Sequence, residues 1–299
     1  MSRPSTYVFC RYVMSDSDGP LDGAAQYQTI AENHGRLMDY ASRGRRTPAR
    51  ALFMEPLESK AGARRVIGFF MGLQPGVRQK VGYDRRRARR TMDIEGDTHI
   101  KAAHIVMVPS IGCMAVEDRA GDNNIPASTA LAAFRSLVRA IHEEGELEFN
   151  HVSDAEVRSA IETWEITQFD YTLRPLNPIS LGDFANLRSE AMKQDLAARE
   201  VARLTPAEGG VMQANGGIIS QTQEVADAGY AQTGFRGYTP EGHEAHVPKP
   251  RFHMDKRKNL EERERTRILR VRFDQENSRD ETEAEIARTL IRFYKNDPA

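Results

Sequence analysis

Residues 164–192, WEITQFDYTLRPLNPISLGDFANLRSEAM, constrain this chain most, because the hydrophobic period changes within one short stretch. Ile166, Phe169, Tyr171 and Leu173 fall mostly at alternate positions, as on a strand with one buried face. Pro175 and Pro178 lack the N–H a ladder needs, so the pairing ends there, and Asn177-Pro178 reads as a turn. Ser180 can accept hydrogen bonds from the first free amides of a helix, and Asp183 suits that helix's positive first turn. Leu181, Phe184, Leu187 and Ala191 then recur at helical spacing and predict one apolar helix face. A strand, a turn and a helix in immediate succession point to a mixed fold.

The rest of the chain supports that reading. Residues 6–14, 51–55, 66–73, 99–108 and 111–117 are rich in β-branched and aromatic residues and are separated by turn signals, which predicts an antiparallel meander. Residues 26–40 fit a helix or irregular chain, and 43–50 read as a basic loop. From Ser128 the period becomes helical through Leu131, Phe134, Leu137, Val138 and Ile141, with Gly145 as the stop. Residues 147–152 read as a strand, and Ser153 with Glu156 forms a capping box that opens a short helix through Ile161. Residues 207–242 hold eight glycines and predict hairpins or a mobile loop. Residues 246–254 read as an edge strand because of their prolines. A strand at 268–273 and an amphipathic helix built on Ile286, Leu290, Phe293 and Tyr294 end the chain. The expected class is α+β: antiparallel-rich sheet, helices packed on one face, and a mixed helix and strand region in the middle. The expected division is a basic, β-rich region over 1–126 and an α+β region over 127–299.

With 39% apolar and 28% charged residues, the 299-residue chain has the composition of a globular protein with room for two cores. Cys10 and Cys113 fit no metal or redox spacing, and no apolar run reaches about 18 residues. A cytoplasmic protein that does not insert in a membrane is therefore expected. The formal charge of −1 hides an asymmetry: residues 1–101 carry 18 Lys and Arg against 11 Asp and Glu, a balance of +7, and the remainder carries −8. Such a split suggests that one part faces a polyanion.

The positive charge is concentrated at Arg85, Arg86, Arg87, Arg89 and Arg90, with Arg43, Arg45, Arg46 and Arg50 earlier in the chain. Arginine is a planar, permanently charged donor suited to phosphate oxygens, and neutralising several phosphates releases counterions. No aromatic residue stacks among them in sequence, so they point to the backbone of nucleic acid, double-stranded DNA above all, read without regard to sequence. The bland alternative is a solvated loop balanced by acidic neighbours. A second function class rests on Glu58 and Lys60, whose Glu-x-Lys spacing is that of metal-dependent nucleases, with Asp39 or Asp93 as a further ligand. The same spacing is common by chance, and Ala61-Gly62 favours a hairpin tip there. His243, His246 and His253 match no standard zinc spacing, and His99 and His104, five apart on a strand, fall on opposite faces. No phosphate-binding glycine loop, nucleophile elbow or Cys/His nucleophile arrangement is present. No cofactor and no catalytic residue is assigned on this reading.

The 164–192 stretch, together with DAGYAQTGFRGYTPEG at 227–242, resembles the bacterial domain-of-unknown-function family 4747 and, more distantly, the layout of RexA-like phage-exclusion proteins. The resemblance covers roughly residues 148–255 and rests on a strand, an Asn-Pro turn, a helix and a glycine-rich hairpin. It implies a bacterial or phage origin and a sensor role in anti-phage defence. The opposed charges of the two regions and the apolar face of the last helix lead us to expect a homodimer, since a self-complementary patch closes most simply with two-fold symmetry.

Overall fold

The structure is a computed structural model that describes residues 4–35, 37–40, 49–74, 78–84, 89–95, 101–118, 125–142, 144–176, 181–250, 267–274 and 278–295. Two compact units make up the chain: Met1–Asn150 with Asp274–Ile291, and His151–Phe273 with Arg292–Ala299.

The first unit begins with strand β1 (Ser5–Asp16), which turns into the short β2 (Gly19–Pro20), and helix α1 (Gly23–Glu32) follows, capped by the Asp22 carboxylate on the amides of Ala24 and Ala25. Strands β3 (Leu37–Tyr40), β4 (Ala49–Ala61) and β5 (Arg64–Gln74) come next, then β6 (Arg78–Asp84), β7 (Arg89–Glu95), β8 (Lys101–Val108) and β9 (Cys113–Glu117). Helix α2 (Ala127–Ile141) and strand β10 (Glu146–His151) complete this run. The main sheet is antiparallel in the order β1-β9-β8-β5-β4-β3, with β2 and β10 also paired to β1. Strands β6 and β7 form a separate two-stranded ribbon.

Strands β8 and β9 are buried almost without alternation, which is the mark of a sheet covered on both faces. On one face Phe69 of β5 meets Phe134 of α2, ring centroids 5.1 Å apart, and Val8, Ile105, Met107, Met114 and Val116 share that side by register. The opposite face carries Gly68, His104 and Glu117 and is covered by the last helix, α6 (Arg279–Lys295), through Glu283. Because α2 packs on this sheet, the unit runs on to residue 150, beyond the change of period near residue 127 at which the sequence places the start of a second region.

In the second unit helix α3 (Asp154–Ile161) opens with the expected capping box, Ser153 Oγ receiving the Glu156 amide at 3.2 Å and Glu156 receiving the Ser153 amide at 2.8 Å. Strand β11 (Glu165–Leu173), helix α4 (Gly182–Gln194), strand β12 (Glu200–Leu204), helix α5 (Gly217–Asp227) and strands β13 (Ala231–Tyr238), β14 (Glu244–Val247) and β15 (Leu269–Phe273) follow. Their sheet runs β12-β11-β13-β14-β15, and each of these neighbouring pairs is antiparallel. Phe169, Tyr171, Leu173, Phe235, Ala245, Val247, Leu269, Val271 and Phe273 line its buried face.

Two expectations fail here and one holds in part. The glycine-rich 207–242 stretch does turn β13 into β14 as a hairpin, closed by the Thr239 and Gly242 amides, but it also contains a helix, because Ile219, Thr222 and Val225 recur at helical spacing and are buried, while Gly217, at φ 60°, only turns the chain into it. Strand β14 is not an edge: it lies between β13 and β15, and Pro248 and Pro250 follow its paired residues, so no ladder amide is missing. The buried face of α4 is Ala185, Ser189 and Met192, and Leu187 is 68% exposed. Ser189 Oγ accepts the Leu176 amide at 2.8 Å, and that polar anchor, rather than the leucines, sets the helix's rotation.

Candidate nucleic-acid interface

Arg43, Arg45, Arg46, Arg85, Arg86 and Arg87 lie outside the described residues. Arg50 stands on β4, at a position paired with Asp39 of β3 and Gln74 of β5. Arg89 and Arg90 begin β7, so the arginine run continues into a regular ladder. In that ladder Arg78 is opposite Glu95, Lys80 opposite Asp93, and Asp84 opposite Arg89. Three cross-strand positions therefore match opposite charges, the arrangement that favours this register over its neighbours. The alternate positions pair Gln79 with Ile94, Val81 with Met92, and Tyr83 with Arg90. Residues 78–95 hold seven arginines and lysines against three carboxylates. With three of each matched by register, the excess of +4 resides in Arg85, Arg86, Arg87 and Arg90.

Glu58 and Lys60 stand two apart on β4, beside the turn at Gly62 (φ 61°) that joins β4 to β5. Glu58 Oε1 receives Arg65 Nε at 3.0 Å, and Lys60 pairs in register with Arg65. Asp39 sits on β3 and Asp93 on β7, in different sheets. Among the described residues no three His, Cys, Asp or Glu side chains come close enough to hold one metal ion.

The histidines separate as well. His99 and His253 lie outside the described residues. His243 packs its ring 4.5 Å from that of Phe273, and His246 is on β14. Trp164 is a core residue, 3% exposed, and Cys10 and Cys113 are buried free thiols, with burial holding the Cys10 thiol far above its ordinary pKa.

Sequence reasoning missed a buried polar chain in the first unit. Tyr7, Glu117 and His104 occupy adjoining positions on β1, β9 and β8. The Tyr7 hydroxyl lies 2.9 Å from His104 Nδ1, and His104 Nε2 lies 2.9 Å from Glu283 Oε1, which also receives Arg279 Nε at 2.7 Å. A carboxylate oxygen that already accepts from arginine takes the Nε2–H, so Nδ1 is left to accept from the tyrosine. The His104 amide donates to Glu117 Oε2 at 3.1 Å, and Phe70 stacks on the imidazole with centroids 4.7 Å apart. A Cβ at Gly68 would lie 2.1 Å from the Glu283 carboxyl carbon, so only glycine admits this side chain. Glu283 is fully buried and His104 is 4% exposed, so the run from Tyr7 through His104 to Glu283 is closed to solvent, with only Arg279 at its end partly exposed, and it serves to seat α6 on the sheet. A glycine within the apolar run VIGFFMGL was the available signal, because glycine inside a strand marks a close approach.

The fold and these sites define a class, an antiparallel α+β protein bearing an arginine-rich two-stranded ribbon. In comparisons with known proteins, no family model matches the chain, and no curated protein matches it significantly. Among the described residues no helix is long and apolar enough to cross a membrane.

Proposed function

We propose that this chain binds nucleic acid, double-stranded DNA in the first instance, through the phosphate backbone and without sequence preference, using the arginines of the β6–β7 ribbon segment. The observation that supports this reading is the ladder register, which sets the three acidic residues of the segment opposite basic ones, in a stretch that by composition carries four more arginines and lysines than carboxylates. A compact excess of guanidinium groups suits phosphates and carries no information about bases. Arg43, Arg45, Arg46 and Arg50 extend the same charge in sequence. The resemblance to phage-exclusion proteins makes a sensor of phage nucleic acid the matching cellular role.

The second reading, a metal-dependent nuclease at Glu58 and Lys60, keeps only its spacing in support. One gel separates the two. Unrelated duplexes of equal length are expected to be retarded alike in chelator and to stay intact when magnesium is added; cleavage that needs magnesium would establish the nuclease instead. The homodimer remains part of the proposal, supported by the opposed charges of the two regions. Light scattering at micromolar concentration should give twice the chain mass of 33.6 kDa, and the single-chain mass would dismiss it.

A further inference from the structure

Helix α4 has two faces that carry apolar residues, and the fold buries one of them. Ala185, Ser189 and Met192 turn inward. Leu181, Phe184, Leu187 and Ala191, the stripe that helical spacing picks out in the sequence, stay half-buried or exposed. Just past the helix Leu196 takes a left-handed φ of 53° and is 92% exposed, and Val201 on β12 is 59% exposed. With Leu187 at 68%, these are the three most exposed large apolar residues among those described, and all lie in α4, in β12 or in the turn between them. Apolar residues scattered singly over a surface are ordinary, whereas three gathered at one place mark a contact.

The place is an open sheet edge. Strand β12 pairs with β11 on one side, and among the described residues no strand pairs with its other side. Such an edge presents free N–H and C=O groups, a template for another strand. Helix α4 is tied to this edge: Arg188 lies 3.5 Å from Glu200 of β12, and Glu200 accepts the Tyr171 hydroxyl of β11 at 3.1 Å. Arg188 also lies over the Phe184 ring, 5.7 Å from its centroid, so the uncovered stripe begins on the side of α4 that reaches β12. The apolar face of α6, which the sequence offers for a dimer contact, is used inside the chain, where Ile286 and Leu290 are fully buried.

We infer that a second copy of this chain docks at this edge, β12 pairing antiparallel with the same strand of the copy and α4 packing beside its counterpart. The inference rests on the homodimer proposed above and assigns its surface. A two-fold axis normal to the sheet keeps each side chain on its own face, so it passes through one residue. Through Ala202, the middle of the strand, it pairs all five residues, with Val201 opposite Arg203 and Glu200 opposite Leu204, and sets no like charges against each other. Through Val201 it would set Arg199 opposite Arg203, and through Arg203 that residue opposite itself. Strands lie about 4.8 Å apart and packed helices about 8–10 Å, so helices riding over the β11–β12 pair of each copy reach packing distance when the edges join. An extended peptide would cover β12 and leave Leu187 bare; a second copy covers both.

The test is light scattering of the full chain over a concentration series, with L187E and V201E. The parent should show twice the 33.6 kDa chain mass at micromolar concentration, and each variant should raise the dimer dissociation constant at least 10-fold. Because both side chains are exposed, the circular dichroism spectra should match the parent's. A202C supplies a second reading. Opposed positions at the two-fold lie within disulfide reach, and Cys10 and Cys113 are buried, so copper phenanthroline in air should link two chains of A202C. V13C, at an exposed position of β1, should not link. A single-chain mass for the parent would overturn the homodimer and this surface together. A parent dimer that L187E and V201E leave intact, with no A202C cross-link, would overturn the surface alone. Loss of the dimer in V201E but not in L187E would leave strand pairing without α4, the contact an extended peptide makes, and would overturn the two-layer docking. The reverse result, again without the cross-link, would overturn the strand pairing.

Discussion

Replacing Gly68 with alanine should destabilise the first unit by about 1–3 kcal/mol or more, and removing Glu283 at the same time should cost less than the two single losses added together. The added methyl would meet the carboxyl carbon and both oxygens of Glu283 at 2.1–2.2 Å. Those atoms cannot swing away, because His104 and Arg279 hold Oε1 at 2.9 and 2.7 Å inside a closed interior. Overpacking of this kind costs about 1–3 kcal/mol and more where the neighbour is fixed. E283A alone should cost about 3–5 kcal/mol, the range for breaking a buried charged pair, since Arg279 and His104 lose their shared acceptor. In G68A/E283A the new methyl enters the space the carboxylate leaves, so the double variant should be more stable than the sum of the single losses predicts. Urea unfolding of the four proteins measures this. Additive losses would mean that the close approach between Gly68 and Glu283 does not exist, and a loss below about 1 kcal/mol for E283A would mean that the hydrogen-bonded chain does not seat α6.

The greatest change in binding is expected from R86A, R87A, R89A and R90A together. Each phosphate of duplex DNA that is no longer neutralised lowers the magnitude of the log-affinity versus log-salt slope by about 0.9, so four such phosphates change it by roughly 3 to 4. Affinity for unrelated sequences should fall alike, because interactions with the backbone carry no base information. Arg89 stands opposite Asp84 in the ladder and is the member most tied to structure. A cross-strand pair of this kind is worth roughly 0.2–1 kcal/mol, so the melting temperature should move only slightly. A variant with the parent's affinity and slope would reduce the arginine run to a solvated surface, and one that unfolds would make these arginines structural partners of the ribbon's carboxylates.

Some of this architecture is readable from residue order. The alternation of Ile166, Phe169, Tyr171 and Leu173 appears as β11 with those four residues buried, and the Ser153 and Glu156 capping box opens α3 where the spacing puts it. Such signals are local, set by side chains two to four residues apart. Strand β14 and helix α5 depart from expectation for the complementary reason. Glycine and proline report what the backbone can do at one residue, whereas the neighbours that fill the sheet order β13-β14-β15 come from distant parts of the chain.

The same distinction governs the candidate sites. The charge of the arginine run is a property of composition, present in any conformation, so the sequence by itself determined that a polyanion is the chemistry to test. Which of those charges are matched depends on the register of β6 against β7, and register is a tertiary fact. Nothing in the order of residues joins Tyr7, His104 and Glu283, separated by 97 and 179 positions. The sequence determined the α+β class, the Ser153 and Glu156 cap and the location of positive charge, because each depends on near neighbours or on sums. Only the tertiary structure decided which polar groups are buried together and which charges face one another on a sheet, because pairing between distant strands is what brings them within a few ångströms.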